Sequence, residues 1–329
     1  MIAWLGRLLA AIVIAVAGVW LANASFWSSY SAPITVLAHR GLAQTYHREG
    51  LTNKTCTATR IDAPEHPYLE NTIDSIAAAF AVGADVVEFD IHPTTDGEFA
   101  VFHDWTLDCR TNGSGVTREQ SMAYLKTLDI GHGYTADGGK TFPFRGKFKG
   151  AMPTLDEALA RFPDKRFLIN IKANDRRTGE LLAARLKELP PARRALLTSY
   201  GGDRSMRALL EAMPELRVMG RRQYTTCMFG YLKIGWLGRT PKACRNTIVL
   251  VPMNYAFLGW GWPNRFVERM HAAGSEVYVI GPYERGDPGT AGVDTLEQAG
   301  RIPRNFPGGV WTNRVDLVGP LLKAEPAEP

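Results

Sequence analysis

Several clusters of polar residues stand where apolar runs of this 329-residue chain give way to loops. His39-Arg40-Gly41 directly follows the run Ile34 to Ala38, which sets an imidazole and a guanidinium at the end of an expected strand. The stretch Asp85-Val86-Val87-Glu88-Phe89-Asp90-Ile91 alternates, so a strand there carries Glu88 and Asp90 on one face and Val87, Phe89 and Ile91 on the other. Two neighbouring carboxylates repel each other unless a cation stands between them, and oxygen donors of this kind suit calcium or magnesium. His103-Asp104 brings a second imidazole beside a carboxylate, and Glu70-Asn71-Thr72 brings a further acid. The same alternation over Arg166 to Lys172 puts Asn170 and Lys172 on one face. Singly, each group has a plain structural use, as a buried salt bridge or a surface turn; together they describe a site.

The elements that must position these groups follow from hydrophobic periodicity. Short β-branched runs near 34–38, 86–91, 166–171, 195–199, 216–219, 247–251, 276–280 and 308–312 alternate with helical patterns, the signature of βα units and a parallel sheet. A further run, Phe99 to Phe102, follows the turn signal Asp96-Gly97 and reads as the return arm of a hairpin. Helix starts are expected at Asn71 with Asp74 and at Thr154 with Glu157. One domain over residues 32–320 accounts for this pattern: an α/β chain forming a (β/α)8 TIM barrel, with a hairpin strand after the second stave and a small insertion or cap at the catalytic face. The Pro/Ala-rich residues 321–329 are expected to be a flexible tail.

Composition is that of a globular protein, 45% hydrophobic and 22% charged, with a net charge of +5 spread along the chain. Scattered charge of this size does not argue for nucleic acid, and it suits anionic phosphate ligands or a membrane surface. Residues 1–24 stand apart. Ile2 to Ala24 is interrupted only by Arg7 and Asn23 and ends in Ala22-Asn23-Ala24, so it reads either as a signal peptide with an A-x-A cleavage site or as an uncleaved membrane anchor. Both place the rest of the chain outside the cytoplasm. Export implies an oxidising compartment, in which Cys56, Cys109, Cys227 and Cys244 are expected to form two disulfides. Cys227 and Cys244 bracket one short segment and are natural partners, which leaves Cys56 with Cys109.

In order, His39-Arg40-Gly41, Glu70-Asn71-Thr72, Glu88-Phe89-Asp90, Thr95-Asp96-Gly97 and His103-Asp104 resemble the motif series of the glycerophosphodiester phosphodiesterases. The likeness continues through Leu128 to Gly131, Pro153 to Glu157 and Gly309-Val310-Trp311-Thr312, so it spans nearly all of residues 34–318. The resemblance implies that His39 and His103 act as general acid and base, since one proton must leave the attacking hydroxyl while another reaches the departing alkoxide. It implies that Glu88 and Asp90 ligate a divalent cation, calcium or magnesium, with Glu70 either a further ligand or a group behind the ligands. It implies that Arg40 and Lys172 hold phosphate, with Trp311 beside the substrate. Asn170 departs from the family, which usually has a glutamate ligand there; an amide oxygen can still ligate the cation, though without charge.

Two insertions distinguish the chain. Residues 42–69 are longer than the family's usual connection and carry Cys56 and His66. The segments Tyr224 to Arg245 and Tyr255 to Trp262 are rich in aromatic residues, the first also in basic ones, and they either cap the barrel mouth or meet lipid headgroups. The implied activity is hydrolysis of a glycerophosphodiester to glycerol 3-phosphate and an alcohol. A phospholipase D-like action on lysophospholipids is the alternative that the aromatic segments and possible anchor favour. A non-catalytic exported phosphodiester-binding protein is the reading that Asn170 alone favours.

Overall fold

Alternating apolar runs become strands where the pattern places them. In the computed structural model, which describes residues 2–52, 54–286 and 291–324, these are β1 (Thr35–His39), β2 (Val86–Pro93), β3 (Phe99–Val101), β4 (Arg166–Ile171), β5 (Leu197–Gly201), β6 (Arg217–Gly220), β7 (Ile248–Pro252), β8 (Glu276–Ile280) and β9 (Gly309–Thr312). Eight of them run parallel in the order β6-β5-β4-β2-β1-β9-β8-β7, and β3 pairs antiparallel with β2 as the expected hairpin arm. β6 and β7 lie side by side, and the Thr247 hydroxyl bridges the joint by donating to the Val218 carbonyl at 2.7 Å. The result is a near-closed parallel barrel wrapped by helices, a (β/α)8 fold.

Period-2 geometry divides each stave between two cores. Leu37, Val86, Leu168, Met219, Ile248, Tyr278 and Trp311 fill the barrel interior. Val36, Ala38, Val87, Phe89, Phe167 and Ile169 point outward and pack on helices Ile73–Ala81, Leu155–Arg161 and Arg176–Lys187. Each of the Val, Ile and Phe side chains contributes about 1.5–3 kcal/mol by leaving water, and Ala38 less. Continuing the inward series along β1, β2 and β4 gives His39, Glu88, Asp90 and Asn170, so the strand pattern that builds the core also delivers the polar site to one end of the barrel. At the opposite end Glu276 accepts from Arg166 and Arg217 across the interior.

Among the described residues two capping boxes start helices. Thr154 pairs with Glu157 as expected, whereas the other box is Thr72 with Ser75, one residue beyond the expected Asn71. Asn71 instead adopts φ +59° and uses its side chain in the site. Disulfides join Cys56 to Cys109 and Cys227 to Cys244. The first fastens the 42–69 insertion to the connection after β3, where Ala58, Ile61 and Leu69 pack on Tyr134 and Phe144. The final helix runs Val315–Lys323, and residues 325–329 of the expected tail lie outside the described residues. The N-terminal helix Ile2–Ala22 is exposed, and its stretch Trp4–Ala22 has mean hydropathy 2.2, enough in length and composition to cross a bilayer.

Candidate active site

β1 ends at His39, whose register partner is Glu88 on β2, and the chain then turns through Arg40 (φ +62°) and Gly41 (φ +81°). A side chain at Gly41 would meet Ser75 at 2.7–2.9 Å, so glycine is required for the turn to close against the next helix. The turn aims the Arg40 amide at Glu88 Oε2 (3.1 Å) and its guanidinium between Glu70 (3.2 Å) and Asp90 (3.2 Å). β4 lies on the other side of β2, with Asn170 opposite Asp90; its Nδ2 donates to Asp90 Oδ1 at 2.7 Å, and Lys172 Nζ stands 3.4 Å from the same oxygen.

Both histidines are fixed through Nδ1. His39 Nδ1 faces Asn313 Oδ1 at 2.6 Å, and Asn313 Nδ2 donates to Asp294 at 2.8 Å. That chain orders the tautomer with hydrogen on Nδ1, leaving Nε2 turned inward, 3.8 Å from Glu88 Oε2. The Trp311 ring backs the imidazole at 5.1 Å. His103 Nδ1 meets Asp104 at 2.6 Å, and Arg110 Nε donates to the other Asp104 oxygen at 2.8 Å. Arg110 also reaches Glu70, Tyr134 and Thr57, tying the insertion to the site. Beneath His103, the buried His92 ring contacts the His103 carbonyl at 3.3 Å, and burial pushes its pKa down to about 4.

Charge is concentrated and almost dry. Glu88 and Asp90 are wholly buried and Glu70 nearly so. Burial and the neighbouring Asp90 charge push the Glu88 carboxyl up. Asp90 is also buried, but Lys172, His103 and Arg40 together hold it well below the usual carboxylate range. His39 is lowered, first by burial and then by the Arg40 charge, with the Asn313 hydrogen bond opposing. His103 moves the same way for the same two leading reasons, although 25% of its side chain stays exposed and water tempers the effect. Both imidazoles are therefore biased toward the neutral form that accepts a proton. Beside His39 and Arg40 opens a cavity of about 240 Å³, lined also by Gln44, Tyr46, Glu70 and Arg314.

The donor chemistry fits a hard divalent cation: two buried carboxylates and a side-chain amide share one inward face, and burial with the Asp90 charge disfavours the ionised form of Glu88, which a positive charge there would favour. Among the described residues no three His, Cys, Asp or Glu side chains converge into a formed cage, and Arg40 supplies the cationic charge between Glu70 and Asp90.

A model of the glycerophosphoryl diester phosphodiesterase family matches residues 39–204, the stretch that carries all of these groups except the Asp294–Asn313 arm, Trp311 and Arg314. The chain belongs to that family. A glycerophosphodiester phosphodiesterase of Caldanaerobacter subterraneus subsp. tengcongensis is 32% identical over 158 residues, 45% of this chain and 59% of the relative. One from Bacillus subtilis is 35% identical over 125 residues, 36% of this chain and 41% of the relative. The matches thus span about half the length of these curated relatives. Among solved structures, the phosphodiesterase domain of a Mycobacterium tuberculosis protein aligns with TM-score 0.61 at 17% identity, covering 88% of this chain and 99% of that one. A glycerophosphodiester phosphodiesterase from Agrobacterium tumefaciens aligns with TM-score 0.57 at 21% identity, covering 88% and 100%. At such identities these two likenesses speak for the fold.

The structure brings together His39, Arg40, Glu70, Glu88, Asp90, His103, Asn170 and Lys172, with Trp311 as a buried wall behind His39 and Tyr200. Sequence reasoning missed the groups that hold these. Asn71 accepts from the Asp90 amide at 3.0 Å and donates to its carboxylate at 3.1 Å, a role the Glu-Asn-Thr motif signalled by position. Tyr200 donates to Glu88 at 2.7 Å from the end of β5, where alternation would have pointed it inward. Arg110, Asp294 and Asn313 lie on irregular segments or loop ends and carried no local signal.

Proposed function

We propose that this family member hydrolyses glycerophosphodiesters to glycerol 3-phosphate and an alcohol, with His39 and His103 moving the protons. The observation that carries the reading is the paired orientation of two imidazoles, each tied through Nδ1, beside a buried acidic pair at the strand ends. Arg40 and Lys172 bind the anionic phosphodiester from the walls of the site. The negative charge of the substrate favours the imidazolium form of whichever histidine it approaches, so one ring holds a proton for the leaving alkoxide while the other accepts one from the nucleophile. A calcium or magnesium ion held by Glu88, Asp90 and the Asn170 amide oxygen would draw charge off the phosphoryl oxygens. In support, a phosphodiesterase from Oleispira antarctica, aligned with TM-score 0.53 at 17% identity, has its structure described in complex with the product sn-glycerol-3-phosphate.

Two disulfides and the apolar N-terminal helix support an extracytoplasmic place for the barrel. Lipid phosphodiesters, lysophospholipids among them, form the second reading, favoured by the exposed Tyr255, Phe257 and Leu258 on the connection after β7. The test is turnover of glycerophosphocholine and lysophosphatidylcholine by the parent, His39→Ala and His103→Ala. Each variant should fold and lose roughly 10²-fold or more in turnover, the scale of removing one positioned proton-transfer group. Near-parental activity in either sinks the assignment.

A further inference from the structure

The junction between the apolar helix and the barrel is built into the folded domain. Asn23 is 4% exposed and Ala24 9%, although the helix before them is bare. The Asn23 amide nitrogen donates to the Trp236 carbonyl at 2.9 Å, and its oxygen accepts from Arg269 at 2.9 Å. Arg269 in turn binds the Tyr231 hydroxyl and the Gly235 carbonyl, so Asn23 completes a network that crosses three segments of the barrel's outer layer. Two residues later the Ser25 hydroxyl accepts from the amide of Asn264, the first residue of helix Asn264–Ala272, and Tyr30 lies on His271 near that helix's end. A chain beginning after Ala24 would leave the Trp236 carbonyl and Arg269 without these partners.

The attachment spans starts and ends of the outer helices. Helix Asn264–Ala272 follows β7, and in a parallel barrel a helix begins on the side of the strand C-termini, where the site lies. Trp236 follows the end of helix Arg221–Ile234 and His271 lies near the end of Asn264–Ala272, so the junction as a whole runs along the flank of the barrel. Around the exit of the apolar helix, Phe26 (66% exposed), Trp27 (57%), Trp236 (42%) and Leu237 (51%) present large apolar surface. Helix Arg221–Ile234 adds the exposed stripe Arg222, Phe229 and Lys233 leading to Trp236. Aromatic rings interleaved with cations at the end of an apolar span are the composition of a bilayer–water boundary.

We propose that Ile2–Ala22 is a retained anchor and that Phe26, Trp27, Trp236 and Leu237 form a collar seated in the lipid interface, holding the barrel against the membrane surface. The continuity of the collar with a membrane-length helix selects a lipid bilayer as its occupant. This inference stands apart from the catalytic reading, because its test measures no turnover. The full chain carrying Trp4→Phe and Trp20→Phe is reconstituted in vesicles of phosphatidylcholine and phosphatidylglycerol, with and without phosphatidylcholine brominated near the top of the acyl chain. Mass spectrometry of the purified membrane fraction should find residues 2–24 still attached. Brominated lipid should quench tryptophan fluorescence, and the quenching should be lost when Trp27→Phe and Trp236→Phe are added. A mature chain starting after Ala24 overturns the anchor. A retained helix with fluorescence indifferent to brominated lipid overturns the collar.

Discussion

Replacing Arg110 by methionine isolates the group that holds His103 from behind. Arg110 is 3% exposed in its side chain and faces Asp104 at 2.8 Å, Glu70 at 3.1 Å, Tyr134 at 2.5 Å and Thr57 at 2.7 Å. Methionine keeps most of the stem volume but leaves Asp104 and Glu70 without that cation. Breaking a buried ion pair from one side costs about 3–5 kcal/mol, and the 17% exposure of Asp104 moves the expectation toward the lower end. Urea unfolding at neutral pH, followed by tryptophan fluorescence, reads this directly. The pH dependence gives a second check. Burial pushes the Asp104 carboxyl up, but Arg110 and His103 outweigh it and hold it well below its ordinary value, so the stabilisation is present above the unfolded pKa of about 3.9 and is lost as pH falls through the lower folded value. The gap between parent and variant should thus persist to about pH 4 and narrow below it. A loss under about 1 kcal/mol at neutral pH, the scale of an exposed pair, would refute the view that this arginine braces the site.

Two further outcomes follow from the geometry. Asn313→Ala removes the 2.6 Å contact to His39 Nδ1 and should lower kcat by roughly 10-fold or more, less than loss of the imidazole itself, while KM changes little; an equal fall in binding would mean Asn313 shapes the cavity instead. If a cation sits against Glu88 and Asp90, Asn170→Glu adds charge beside them and should lower the calcium or magnesium concentration giving half-maximal activity, whereas Glu88→Gln should raise it; an unchanged requirement in Asn170→Glu removes Asn170 from the coordination sphere.

The strands were legible because a barrel stave is sandwiched between two apolar layers, and its residues must satisfy both. β2 shows this: Val87, Phe89 and Ile91 enter the outer core, Val86 enters the inner one, and Glu88 and Asp90 continue that inner series. Chemistry placed on such a strand inherits the strand's face: alternation puts Asn170 and Lys172 together, the family resemblance assigns that face to the site, and both reach Asp90. Helix starts were less secure. Asn71 has the composition of a cap, yet its left-handed backbone and its two hydrogen bonds to Asp90 serve the site, and Thr72 takes the cap. Local propensity offered two uses for one side chain, and tertiary contact with β2 selected between them.

The supporting groups were invisible for a different reason: their partners are far away in the chain. His39 and Asn313 are 274 residues apart, and Arg110 meets Thr57 across 53 residues of separation. No periodicity links such positions, because each is set by the closure of the barrel and not by the geometry of one element. Closure brings β9 beside β1, and the loop after β9 then delivers Asn313 to the back of His39, with Asp294 behind it. The Cys56–Cys109 bond acts similarly, bringing Thr57 within reach of Arg110 and hence coupling the 42–69 insertion to Asp104 and His103. The proposed reacting groups are thus written in short local segments, while their tautomers and charges are set by contacts that exist only once the barrel has closed. On the proposed mechanism, a substitution in the insertion therefore alters proton transfer at His103 without touching the substrate, through Thr57, Arg110 and Asp104 in turn.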